Sequence, residues 1–211
     1  MSDSCLTPPE IDAAALTDWR QISRALHTRF RTGKFATGLA LVNAIGAAAE
    51  EANHHPDLGL RYAHLNIRLF SHDASGVTER DVALARRISE LAAGLGVPAE
   101  PTATSVVELA LDSPDYQRIK PFWRAVMGYS DNPRSGDEVR NDDSDLPPIW
   151  FQESGDEEPR QRFHIDIRVP PEVVQQRIDE AVAAGGEMLY EAPTFIVLAD
   201  ADGNRVCVCR S

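Results

Sequence analysis

Glu50-Glu51-Ala52-Asn53-His54-His55-Pro56-Asp57 ends one element and opens the next. Upstream of it, Phe35, Leu39, Val42, Ile45 and Ala49 recur at helical spacing, so residues 35 to about 53 are predicted as a helix with one apolar face. Gly38 and Gly46 weaken that helix, each by about 1 kcal/mol relative to Ala. Pro56 stops it, because the residue before a proline is pushed out of the α region. His54 and His55 therefore fall at the helix C-terminus, where the macrodipole favours a cationic ring. Glu50 lies four residues before His54 on the same face. Downstream, residues 60–70 read as strand, with Leu65, Ile67 and Leu69 alternating against Asn66 and Arg68. His72 stands at the strand's exit, and Ala74-Ser75-Gly76 reads as a turn. Thr78 is a helix N-cap with Asp81 at the third position, a variant of the capping box. The helix it opens runs to about residue 95 with Val82, Ala85, Ile88, Leu91 and Leu95 inward, and Gly94 and Gly96 end it.

Working outward, Pro8 and Pro9 open a short helix, followed by two short strands near 19–26 and 26–30. Residues 97–105 hold two prolines and no periodicity, and 98–105 is read as a linker between a first domain (1–97) and a second (106–211). Beyond it come a strand at 106–111 and a helix capped at Ser113-Pro114-Asp115, with Tyr116, Ile119, Phe122, Trp123 and Val126 inward. A polar loop over 131–146, a strand at 149–153 and a charged loop over 154–162 complete the first pass. The pattern then restarts: a strand over 162–169, a helix from Pro170 to Ala184, and strands near 188–191, 194–199 and 205–210, with a turn at 200–203. Strand, helix and strands are thus written twice, a repeat of element order rather than of residues.

The 211 residues carry a net charge of −12, divided as −2 over 1–100 and −10 over 101–211. So acidic a balance argues against nucleic acid, whose affinity rests on clustered Lys and Arg. Cys5, Cys207 and Cys209 give no disulfide framework; Cys207 and Cys209 share a strand face and read as small apolar residues. No secretory leader and no span of roughly 18 apolar residues is seen, so no membrane partner and a cytoplasmic location are expected. Sheet edges in both domains are free to pair, and a homo-oligomer, a dimer first, is expected.

His54, His55 and His72, with the carboxylates of Glu50 and Asp81, fall between residues 50 and 81. Histidine titrates near neutral pH, so a pair at a helix end facing a third across a strand suits proton transfer. Proton-transfer catalysis needs one group to give a proton and another to take one. His54 and His72 are read as that pair, in either order, with His55 orienting the substrate. Asp81 would accept a hydrogen bond from an imidazole and fix its tautomer; Glu50 would hold His54 or recognise the substrate's edge. Adjacent histidines seldom reach one ion and no cysteine is near, which argues against zinc here. His27 and His64 are read as surface residues.

At Glu50-x-x-x-His54-His55-Pro56, Tyr62, His72-Asp73 and Thr78-x-Arg80-Asp81 the chain resembles the pterin-4a-carbinolamine dehydratases. The resemblance covers residues 8–96 and implies an α-β-β-α-β-β-α domain, an antiparallel sheet with helices on one face, within an α+β fold class. It implies a cytoplasmic lyase that dehydrates 4a-hydroxytetrahydrobiopterin to quinonoid dihydropterin in tetrahydrobiopterin recycling, with no cofactor and no metal. The catalytic residues it implies are His54, His55, His72 and Asp81; the pterin-binding residues are Glu50, Pro56, Asp57, Tyr62 and Asp73. Leu58 stands where that family often has an aromatic.

Phe122-Trp123-Arg124-Ala125-Val126-Met127-Gly128, His164-Ile165-Asp166 and Asp200-Ala201-Asp202-Gly203-Asn204 resemble a glyoxalase-like domain of the vicinal oxygen chelate superfamily, implying two βαβββ-type modules over 106–211. Metal enzymes of that superfamily carry His, Gln or Glu at set strand positions. Glu108 and His164 fall on such positions, but Cys207 stands where a late Glu is usual, so the metal set is incomplete and His164 is read as structural. Two alternatives remain beside the dehydratase reading: a non-catalytic pterin- or partner-binding module, or a small-molecule or metal function in the second domain.

Overall fold

The computed structural model describes residues 4–155, 162–199, 201, 203 and 205–210. Parts of the loop at 154–162 and the turn at 200–204, and the side chains of Phe122 and Val126, lie outside the described residues. The chain divides into two compact units, one within Met1–Thr104 and one within Ser105–Arg210.

The first unit runs α1 (Pro8–Ala13), β1 (Arg20–Ile22), β2 (Ala25–Arg31), α2 (Phe35–Ala52), β3 (Asp57–Leu60), β4 (His64–Leu69) and α3 (Glu79–Gly94). Its four strands form an antiparallel sheet in the order β1-β2-β4-β3. Alternation sets the buried face: Leu26, Thr28 and Phe30 of β2 stand opposite Leu69, Ile67 and Leu65 of β4, and all six are buried. They pack against Leu41, Ile45 and Ala48 of α2 and Val82, Ala85, Ile88 and Ala92 of α3 in one cluster. Each Leu or Ile taken fully out of water here contributes about 1.5–3 kcal/mol. The helices lie on one face, as the resemblance implied.

The rotation of α2 differs from the expectation. Phe35 and Leu39 are about half exposed, and the inward stripe is Gly38, Leu41, Ile45 and Ala48. A helix this apolar has no unique face by periodicity. Gly38 turns this face toward β3, and a Cβ there would lie 2.5 Å from Leu60 Cδ1, so a larger residue would require the Leu60 side chain to move.

The expected linker is also different in kind. Residues 98–100 run beside β2: Arg31 N–H donates to Pro98 O (2.9 Å), Glu100 N–H donates to Arg29 O (2.6 Å), and Ala99 bridges Phe30. A 3₁₀ turn, Pro101–Ala103, follows, and these residues belong to the first unit.

The second unit runs β5 (Val106–Ser113), α4 (Tyr116–Met127), β6 (Ser130–Asp131), β7 (Glu138–Arg140), β8 (Ile149–Glu153), β9 (Phe163–Val169), α5 (Pro171–Ala183), β10 (Glu187–Glu191), β11 (Phe195–Ala199) and β12 (Arg205–Arg210). These make one eight-stranded sheet, β10-β11-β12-β9-β5-β8-β7-β6. The repeat of element order is now spatial. In each half the first and last strands are parallel neighbours, β5 with β8 and β9 with β12, and β5 joins β9 antiparallel at the centre. Parallel neighbours need a crossover, which α4 and α5 begin. Leu109, Leu111, Ile149 and Phe151 pack under α4, and Ile167, Val169, Val206 and Val208 under α5. The opposite parity puts Glu108, Asp112, His164, Asp166, Arg168, Cys207 and Cys209 on the other face.

Candidate active site

The helix end that carries His54 and His55 is shaped by Asn53. It takes the left-handed conformation, φ 47°, which Asn tolerates better than most residues. His54 N–H then donates back to Ala49 O at 3.1 Å, closing the last turn. That reversal sends the two imidazoles apart. His54 turns inward and is 8% exposed; His55 stays in solvent.

His54 Nε2–H donates to Asp81 Oδ1 at 2.7 Å. Asp81 is fully buried at the start of α3, and its second oxygen accepts from Thr78 N–H (2.7 Å), Ser71 Oγ–H (2.7 Å) and Thr78 Oγ (3.2 Å). One carboxylate thus closes the helix cap and holds the imidazole. A buried charge is tolerable only when so fully hydrogen-bonded. Ser71 and Thr78 hydroxyls also touch, at 2.9 Å. Ser71 is a functional neighbour that the sequence reading passed over, although a signal existed. It continues the inward parity of Leu65, Ile67 and Leu69, so its hydroxyl had to enter the core beside the α3 cap.

Glu50 does not hold His54. Its carboxylate accepts from His55 Nε2–H at 3.1 Å, on the surface. The four-residue spacing assumed a continuing helix, and the left-handed Asn53 breaks it. His72 follows Ser71 directly, is exposed, and packs its ring edge-on to Phe70 with centroids 5.2 Å apart. Arg68 lies 4.7 Å over the same Phe70 ring and donates to Asp57 Oδ2 at 2.7 Å. Asp73 accepts from Arg80 at 2.6 Å, and that bond holds its carboxyl below the usual range. Pro56 is half-buried between His55 and the start of β3.

His54, Asp81, Asp57, Arg68 and the His72 turn therefore share one end of the sheet. Tyr62 does not. It is 72% exposed in the β3–β4 turn, at the other end of β4 from His72, and six strand residues at about 3.3 Å each separate the two ends. The expectation that Tyr62 lines the same site as the histidines is corrected on that ground. His27 is not a surface residue: it is half-buried, and burial first, then Arg68, hold its imidazole down to about 4.

In the second unit, Glu108 Oε2 accepts from Arg168 Nε–H at 2.6 Å, so this carboxylate is held in an ion pair. Asp166, which the sequence reading quoted but gave no role, is buried beside His164 and Cys207. Cys209 is buried as expected, whereas Cys207 is only half-buried.

The first unit is a helix-backed antiparallel sheet with a histidine–carboxylate cluster at one end. A family model described as pterin 4 alpha carbinolamine dehydratase matches residues 4–91, and one described as glyoxalase-like domain matches residues 108–209. A Thermomicrobium roseum protein, provisionally named pterin-4-alpha-carbinolamine dehydratase, is 43% identical over 74 residues, covering 35% of this chain and 80% of that protein. A Koribacter versatilis protein with the same provisional name is 36% identical over 88 residues, 41% of this chain and 94% of that one. The crystal structure of a transcriptional coactivator/pterin dehydratase from Brucella melitensis matches with 30% identity over 42% of this chain and 99% of its own, TM-score 0.41. The chain belongs to the pterin-4a-carbinolamine dehydratase family, and its second unit is a glyoxalase-like domain. Among the described residues no helix is long and apolar enough to cross a membrane.

Proposed function

We propose that the first unit dehydrates 4a-hydroxytetrahydropterins to quinonoid dihydropterins, a step in recycling tetrahydrobiopterin. The observation that carries this reading is the buried Asp81–His54 pair, set beside two exposed imidazoles. A carboxylate only accepts, so it selects the His54 tautomer with the proton on Nε2 and leaves Nδ1 as the basic nitrogen. In the reaction the C4a–O bond breaks, the hydroxyl leaves as water with a proton from one imidazole, and a second imidazole takes the ring N–H proton. His54 and His72 serve as this pair, and each transfer is worth about 10²–10⁴-fold. His55, held by Glu50, orients the pterin, with Asp57, Pro56 and Asp73 shaping that end of the site. The working form is a homo-oligomer, a dimer first, which sedimentation tests.

The test is a stopped-flow record of 4a-hydroxytetrahydropterin decay with wild type, His54→Ala and His72→Ala, all at full length. Wild type accelerates the decay and each variant loses at least about 10²-fold of the rate. A wild-type protein that leaves the spontaneous rate unchanged sinks the reading and favours a non-catalytic pterin-binding role, which direct pterin binding would then reveal.

A further inference from the structure

Two of the three imidazoles at this end of the first unit are held by carboxylates: His54 by Asp81 at 2.7 Å and His55 by Glu50 at 3.1 Å. Among the described residues no hydrogen bond reaches the ring of His72. Its backbone is fixed, since His72 O accepts from Ser75 N–H and from Ser75 Oγ–H, both at 3.2 Å. A fixed backbone still leaves an imidazole its χ1 and χ2 rotamers. The contact that bears on them is with Phe70, whose ring stands at 89° to the imidazole with centroids 5.2 Å apart.

Phe70 is itself held. Arg68 and Phe70 share the sheet face turned away from the helices, and His72 comes two residues later. Phe70 is only 6% exposed there. The Arg68 guanidinium lies over its ring, 4.7 Å from the centroid, within the roughly 6 Å reach of a cation–π contact. Asp57 stands opposite Arg68 on β3 and accepts its Nη1–H at 2.7 Å. His27 stands opposite Arg68 on β2; burial, then Arg68, hold that imidazole down to about 4, so near neutral pH Asp57 is the charge that Arg68 answers. Arginine suits this place because a planar guanidinium stacks through its face while it donates in its plane, which an ammonium does not do.

We infer that Arg68 is a positioning residue for His72: anchored by Asp57, it pins the Phe70 ring, and Phe70 sets the orientation of the imidazole. Its bearing on catalysis rests on the reading of His72 as one of the two proton-transfer groups. Such a transfer needs the imidazole nitrogen within about 2.6–3.2 Å of its partner atom. A misplacement of about 1 Å costs up to about 10²-fold in rate. Arg68 acts through Phe70 and not on the pterin, so its loss lowers kcat and leaves KM in place.

The experiment uses the full-length protein and two readouts, on samples that circular dichroism shows to be folded. In ¹H–¹³C NMR spectra the His72 ring signals are identified by their loss in His72→Gln. The ring current of Phe70 displaces them from the positions of a free histidine, and Phe70→Leu returns them there. Arg68→Gln, which keeps the Phe70 ring, moves them part of the same way, and Arg68→Lys falls between Arg68→Gln and wild type. Arg87→Gln, at an exposed arginine of α3, moves nothing. In the dehydration assay Arg68→Gln and Phe70→Leu lower kcat about 10-fold or more, with KM within about threefold of wild type. His72 signals that stay at their wild-type positions in Arg68→Gln overturn the inference. So does an active wild type whose kcat survives Arg68→Gln within about threefold, or a rise in KM with kcat unchanged, which would put Arg68 on the substrate. The wild-type rate judges the dehydratase reading, and the resonance comparison judges the role of Arg68 whichever way that rate falls.

Discussion

Asp81→Asn asks one side chain to do two jobs with half the acceptors. In the native protein Asp81 Oδ1 takes the His54 Nε2–H at 2.7 Å, and Oδ2 takes Thr78 N–H and Ser71 Oγ–H. An amide has one oxygen and one NH₂. If its oxygen stays on Thr78 and Ser71, the NH₂ meets His54 Nε2, which must then give up its proton to Nδ1. The helix cap survives and the basic nitrogen is lost. The variant forfeits one charge-assisted hydrogen bond, about 1.5–3 kcal/mol of stability. The missing proton acceptor lowers kcat about 10²–10⁴-fold, or about 3–5 kcal/mol of barrier. KM is expected to stay near wild type, because Asp81 is fully buried and out of reach of a bound substrate. The measurement is single-turnover decay of 4a-hydroxytetrahydropterin, with circular dichroism and thermal melting on the same samples. A folded Asp81→Asn protein whose kcat lies within about threefold of wild type refutes the tautomer argument, even if its melting temperature has fallen.

Ser71→Ala removes a donor to Asp81 and leaves Thr78 in place; a loss of about 1 kcal/mol in urea unfolding and a fall in kcat smaller than that of Asp81→Asn are expected, and an unchanged midpoint counts against the network. His27 is held down to about 4 in the folded chain and returns to roughly 6.5 when unfolded. The unfolded state therefore binds more protons between these values, so stability falls as pH drops from about 6.5 to about 4 and levels off below; His27→Gln should lose about 1–3 kcal/mol less than wild type between pH 7.5 and 4.5. Glu108→Gln takes the charge from a 2.6 Å pair with the half-buried Arg168, which should cost about 1.5–3 kcal/mol in urea unfolding, and an unchanged midpoint counts against the pair.

Periodicity carried the helices and long strands, because burial writes a period of two or 3.6 into any sequence that makes a core. It did not carry β6 and β7. Strands of two and three residues, in and beside the polar stretch 131–146, are too short to show alternation, and only the pairing of β6 to β7 and of β7 to β8 makes them strands. In the first unit the resemblance named His54 and Asp81, but not that Glu50 would turn to His55, since that follows from a single backbone angle at Asn53. In the second unit the resemblance named His164 and Cys207, but not that Asp112 and Asp166 would stand beside them. These four lie on three strands spread over 96 positions from 112 to 207, and register alone sets them side by side.

The segment beside β2 has a further consequence. The dehydratase family model ends at residue 91, yet Pro98 and Glu100 supply the partners of Arg31 N–H and Arg29 O, with Glu100 also reaching the Arg31 guanidinium at 3.1 Å. Cleaving the chain at the family boundary would strip that cover and leave a strand edge open, the kind of surface that recruits other chains. The join between the halves is thus a working part of the first half rather than a tether. Whoever separates the two units must cut after the 3₁₀ turn at Ala103, not at the end of α3.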